Sequence, residues 1–148
     1  MALTQAMCTS FKVQLLTGTH NFTLSASPAY KIALFKAGAS ISGTYGAATT
    51  LYSSMTGDEV ASGGGYTTAG NTLVNVTPTS SGTTAFVDFS DTSWTSATFS
   101  TRGAMIYQAT SGFAVCILDF STDQTVSSGT LTIVFPVAAP GTAIIQVA

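Results

Sequence analysis

The sequence predicts an all-β fold: an antiparallel β-sandwich, jelly-roll-like, of about ten strands. Three observations predict it. Short runs of alternating or continuous apolar residues recur along the chain, each bounded by the turn-forming residues Gly, Pro, Asn, Asp or Ser. No stretch of useful length places apolar residues at the helical period of 3.6. The strong helix formers Glu, Lys and Arg are scarce, because charged residues make up only 7% of the chain.

Taken in order, residues 1–10 read as an N-terminal arm. FKVQLL (11–16) sets Phe11, Val13 and Leu15 against Lys12 and Gln14 and predicts a strand, and NFTLS (21–25) alternates again. YKIALF (30–35) opposes Tyr30, Ile32 and Leu34 to Lys31 and Ala33. Residues 37–70 break the pattern; this Gly-, Ser- and Thr-rich insertion is long enough to embrace a partner. Strands resume with NTLVNV (71–76), TAFVDF (84–89), SATFS (96–100), AMIYQ (104–108), FAVCILDF (113–120), TLTIVF (130–135) and AIIQV (143–147). Continuous apolar runs such as 113–118 read as central strands, and alternating ones as strands with one wet face. TSSGTTAFVDF (79–89) echoes VSSGTLTIVF (126–135), each read as a Ser-Ser-Gly turn feeding a buried strand. The 148 residues suit a single β domain spanning 1–148.

Composition narrows the function classes. A charged fraction of 7%, against roughly 25% in a typical soluble protein, leaves little repulsion between copies and suits life inside an assembly. The only cations are Lys12, Lys31, Lys36 and Arg102, which form no basic stripe, so nucleic acid is excluded as a partner. The first residues lack the charged and apolar regions of a secretory signal, and no apolar run approaches the length of a membrane span, so no membrane partner is expected. Cys8 and Cys116 make no disulfide framework and are read as thiols of a chain made in a reducing cytoplasm.

Motifs of chemistry fail on inspection. Gly65-Tyr-Thr-Thr-Ala-Gly70-Asn-Thr72 has the glycine spacing of a phosphate-binding P-loop, but Asn71 replaces the lysine and NTLVNV continues as a strand where a helix is needed. A dinucleotide fingerprint from Gly63 and Gly65 would need a third glycine where Thr68 stands. The single histidine, His20, is read as a turn or surface residue with no nucleophile assigned to it. Asp58 and Glu59 are adjacent, so in a strand their side chains diverge; Asp88 and Asp91 could meet at a strand end but lack further metal ligands. No catalytic residue, metal or cofactor is therefore expected, and the chain is not read as an enzyme. Trp94 reads as a core or interface anchor. Arg102, the only arginine, reads as a strut paired with Asp88 or Asp119. Self-association as a dimer or trimer is expected through the 37–70 insertion, with Tyr45, Leu51, Tyr52 and Met55 as contact residues.

FKVQLLTGTHNF, YKIALF, GDEVASGGGYTTAGNTL, TPTSSGTTAFVDFSDTSW, TRGAMIYQ and FAVCILDF, in this order, resemble a family of small virion structural proteins of tailed bacteriophages. The resemblance covers roughly residues 11–148 and rests on a conjunction of segments. It implies a head decoration or cement protein, located in the virion on the capsid surface, with the major capsid protein as partner. The rival it implies is a tail or tail-fibre component acting in host attachment. A small glycan-acting hydrolase comes third.

Overall fold

A computed structural model of the chain describes residues 2–23 and 29–148. In chain order the elements are β1 (Ala2–Leu3), β2 (Ala6–Met7), α1 (Thr9–Leu16), β3 (Tyr30–Lys36), β4 (Thr44–Tyr45), β5 (Asn71–Thr72), β6 (Thr79–Ser81), β7 (Thr84–Val87), β8 (Thr92–Gln108), β9 (Ala114–Ile133) and β10 (Ile145–Val147). Strands account for 48% and helix for 11%, so the fold is all-β. The centre is the long β8–β9 hairpin within a five-stranded antiparallel sheet ordered β2-β9-β8-β3-β5. A second antiparallel sheet runs β10-β7-β6, and β1 pairs with β4 in parallel. Among the described residues, no helix is long and apolar enough to cross a membrane.

The core sits on the apolar halves of β3, β8 and β9. Ile32, Leu34, Phe35, Met105, Ile106, Val115 and Ile117 have no solvent exposure, and Val87, Phe89, Phe135 and Ile145 join them in one continuous cluster. These residues are apolar runs rather than alternating ones because strands in mid-sheet are covered on both faces.

Several sequence expectations change. FKVQLL lies in the helix α1, not a strand. Its six residues fit either period: Phe11 and Leu15 are four apart and share a helical face, with Phe11 fully buried and Leu15 packed against the core. Val13 and Leu16 then point outward. Leu, Lys and Gln are good helix formers, and the helix ends at Thr17, followed by Gly18 at φ +72°. Of NFTLS, residues 21–23 form no strand, and Leu24 and Ser25 lie outside the described residues. The segment read as an arm is tied down: β1 pairs with β4 and β2 with Cys116 and Ile117 of β9.

The runs 96–100 and 104–108 are two halves of β8, and 113–120 and 130–135 lie mostly within β9. The Ser/Thr-rich stretch between them continues as strand because Thr tolerates pleated backbone and hydroxyls pair across the ladder. Ser100 meets Thr125 at 2.7 Å and Ser93 meets Thr132 at 2.8 Å. The Ser-Ser-Gly echo is thus not one structure twice. Its first copy spans β6 and the turn at Gly82, while its second lies inside β9, where the register shifts and Ser128 adopts φ 49°.

Candidate functional site

The 37–70 insertion has almost no regular strand, so side chains must hold it. Two buried carboxylates do this in opposite directions, as expected for neighbours. Asp58 accepts hydrogen bonds from the amides of Ser42 (3.0 Å) and Gly43 (2.8 Å) and from the hydroxyls of Ser42 (3.0 Å) and Tyr45 (2.8 Å). It also pairs with Lys36 Nζ at 3.0 Å. Burial alone would raise its pKa; the amides of Ser42 and Gly43, the Tyr45 hydroxyl and Lys36 outweigh it and hold the carboxyl well below the ordinary range.

Glu59 faces the other way, into a group of tyrosines. Tyr52 and Tyr66 each donate to it at 2.6 Å, and the Ala69 amide donates at 2.7 Å. Tyr107 stacks on Tyr52 with ring centroids 4.3 Å apart and donates to the Ala69 carbonyl at 2.8 Å. Burial, and then the facing carboxylate, push the phenols of Tyr52 and Tyr66 far above their usual range, and Tyr107 up to about 12.

The four residues expected to form a contact surface divide. Tyr45 is buried against Phe35 with ring centroids 4.7 Å apart, and Met55 has no exposure at all. Both are core residues: the insertion, with little strand of its own, docks by turning its apolar side chains inward. Tyr52 is half-buried on Tyr107, and only Leu51 is exposed.

The loop spelled GYTTAGNT is a pair of turns entering a strand. Gly63 and Tyr66 exchange backbone hydrogen bonds, the Gly70 amide donates to Thr67, and β5 follows directly. Two further amides of the loop are engaged internally: Thr68 donates to the Ser62 hydroxyl and Ala69 to Glu59. Asn71, in the lysine position, donates through its side chain to the Ser93 carbonyl (3.0 Å) and the Thr92 hydroxyl (3.1 Å).

Arg102 pairs through Nε with Asp119 at 3.1 Å and lies 3.8 Å from Asp123, all at the half-exposed margin of the sheet. Asp88 is not a partner of Arg102. It is buried, accepting from the amides of Phe89 (2.9 Å) and Ile144 (3.4 Å), and burial raises its pKa. Because the Arg102 pair is solvated, Arg102→Met is expected to change unfolding free energy by less than about 1 kcal/mol. Urea unfolding checks this; a loss above about 2 kcal/mol would mean the strut behaves as a buried one.

His20, read as a turn or surface residue, lies in the loop after the helix α1, beyond the turn at residues 17–18, and is buried between Gln14 and Tyr30. Trp94 lies in the core near Tyr66. Cys8 and Cys116 are buried free thiols, pushed by burial up to about 11 and about 12, which keeps them protonated and unreactive. Among the described residues, no three His, Cys, Asp or Glu side chains group as a metal site.

One patch of exposed apolar surface lies outside the 37–70 insertion. Val13 (57% exposed) and Leu16 (90%) project from α1, and Val147 (62%) from β10. Between the two elements runs a trough of about 310 Å³ lined by Met7, Lys12, Leu15, Leu16, Ile145, Gln146 and Val147. Beside it, Phe22, Pro78, Phe86 and Val87 line a smaller apolar cavity of about 150 Å³. The strand reading of 11–16 put Val13 on the buried face with Phe11. No local signal decides between the two readings, because Phe11 and Leu15 share a face in a helix and in a strand alike.

Compared with protein-family models, with curated proteins and with solved structures, the chain has no match in any of the three.

Proposed function

We propose that this protein is a structural component of a tailed-bacteriophage virion, a decoration or cement protein bound to the outer capsid surface across boundaries between major capsid protein subunits. The observation that carries the reading is where the few charges lie. Of the charged side chains, Asp58, Glu59 and Asp88 are buried, and Lys36, Arg102, Asp119 and Asp123 are engaged in internal pairs. Asp91 accepts the Phe135 amide at 2.9 Å, Lys31 is half-buried, and Lys12 is exposed on α1. Against that stands the exposed apolar surface of Val13, Leu16 and Val147 with its trough. Such a surface suits a permanent contact whose strength comes from apolar burial. A protein that binds only the assembled shell stabilises it by mass action, which is the task of a clamp.

Imaging the phage particles by cryo-electron microscopy tests the proposal. Hundreds of copies over the shell are expected. A few copies at the tail vertex would transfer the protein to the tail-fibre class, and complete absence from particles would overturn both. Particles lacking the protein should lose resistance to heat or osmotic shock and still adsorb to the host. Release of the protein from intact heads should depend only weakly on salt, because little charge is available to screen.

A further inference from the structure

His20 is the only histidine of the chain, and its surroundings are unusual for so hydrophilic a ring. It follows α1 in the loop 17–23 and is buried. Phe11 meets it edge-on at 4.7 Å, while Phe22 (6.1 Å) and Tyr30 (5.9 Å) stack along it, as ring-centroid distances. Nε2 lies 2.9 Å from Gln14 Oε1 and Nδ1 lies 3.0 Å from the Tyr30 hydroxyl. An amide oxygen only accepts, so Nε2 carries the hydrogen; Nδ1 is then the acceptor and Tyr30 the donor. The same loop is fastened to the end of β8, where Gln108 Nε2 donates to the Thr19 carbonyl at 3.3 Å, and to α1 through the Thr19 amide and Gln14 carbonyl at 2.9 Å.

Every hydrogen-bond partner of the ring is neutral. On α1 the nearest charge in sequence is Lys12, which is exposed; β3 contributes Tyr30 and half-buried Lys31; the end of β8 contributes uncharged Gln108. Beyond Phe89, Asp88 has its oxygens on the amides of Phe89 and Ile144. Among the described residues, no carboxylate pairs with His20.

We propose that His20 is an acid-sensitive latch: a proton on Nδ1 releases the loop 17–23 and the last turn of α1 from β3 and β8, while the sheets stay folded. The proton takes the position of the Tyr30 hydrogen and creates a cation inside an aromatic cage with no counter-charge. Opening the loop returns that cation to water, and the loop carries no strand of either sheet. Burial lowers the His20 pKa from 6.5 to about 4. The open state therefore binds more protons than the closed one between these values. The closed state has its full stability above pH 6.5 and loses it as pH falls, with opening favoured about tenfold more per pH unit down to about 4.

Two-dimensional NMR of the intact protein tests the latch, since one histidine gives one unambiguous ring signal. The ring should titrate well below 6.5. Over the same range, protection factors of the hydrogen-bonded amides of Thr17, Gly18 and Thr19 should fall about tenfold per unit, while those of Ile106 and Ile117 hold. In His20→Phe, which keeps the ring packing, the loop amides should show no pH dependence. Titration near 6.5, constant loop protection, or loss of protection in loop and sheets together would each overturn the proposal on the unmodified protein alone.

Discussion

Asp58→Ala is expected to lower the unfolding free energy by about 3 kcal/mol or more, because it orphans several poorly solvated donors, each costing about 1–3 kcal/mol. The carboxylate gathers the Ser42 and Gly43 amides, the Ser42 and Tyr45 hydroxyls and the Lys36 ammonium at one point. Alanine leaves the donors of this turn without an acceptor in a place water reaches poorly. Lys36 still reaches the Gly57 carbonyl at 2.8 Å, so the loss falls mainly on the turn leading into β4, and through β4 on β1. The acid dependence has a definite sign. The folded pKa of Asp58 lies below 3.8, so its contribution is complete above pH 3.8 and disappears as pH falls through the lower folded value. The gap between wild type and Asp58→Ala should thus narrow in strong acid. Urea unfolding at neutral pH reads the effect, and a loss under about 1 kcal/mol would show that Asp58 does not organise the insertion.

Gly70→Ala is expected to cost at least about 3 kcal/mol, the scale of severe local strain plus overpacking. Gly70 has φ +67°, and a Cβ there would run into the Ile32 carbonyl and come within 2.8 Å of the Ala33 Cα. Those atoms belong to β3, which is held by β8 on one side and β5 on the other, so they cannot withdraw. Gly82→Ala separates the two causes. Gly82 has a similar φ of +59° in the β6–β7 turn, and a Cβ there meets nothing within 4 Å. Its cost should be the backbone term alone, about 1–2 kcal/mol. Thermal and urea unfolding of the two variants should rank them clearly. Equal losses would mean that the close approach of the loop to β3 contributes nothing.

The same glycine shows how far sequence reasoning reaches. That GYTTAGNT is a turn entering a strand follows from residue types alone: the lysine is missing, and NTLVNV has no helical period. That its amides close on Glu59 and Ser62 follows only from the fold, because Glu59 is brought under the loop by its bridge to Phe35 of β3 and held there by Tyr52 and Tyr66. The all-β class and the core of β3 and β9 were legible because long apolar runs between turn residues have one common outcome in a chain poor in helix formers. Strand ends were not legible. The polar stretch between residues 120 and 130 looks like turns locally, and becomes strand because β8 offers it a partner ladder.

Short patterns were decided by tertiary contact. FKVQLL satisfies the periods of both strand and helix, and packing of Phe11 and Leu15 on the core selected the helix. That choice exposed Val13 and Leu16 and so made the apolar surface beside β10. Arg102 and Asp119 lie one residue apart in register across β8 and β9, since Asp119 stands opposite Gly103, and this pairing exists only once the hairpin forms. His20 was read as a residue of a turn between two strands or of the surface, but it follows the helix α1, beyond the turn at residues 17–18, and its burial depends on Phe11, Phe22 and Tyr30 converging from three segments. Composition and period thus determined what kind of fold this chain makes and how little charge it carries. Which carboxylates are buried, which apolar residues remain outside and which ring is caged were decided by long-range packing, because each depends on neighbours that local sequence does not name.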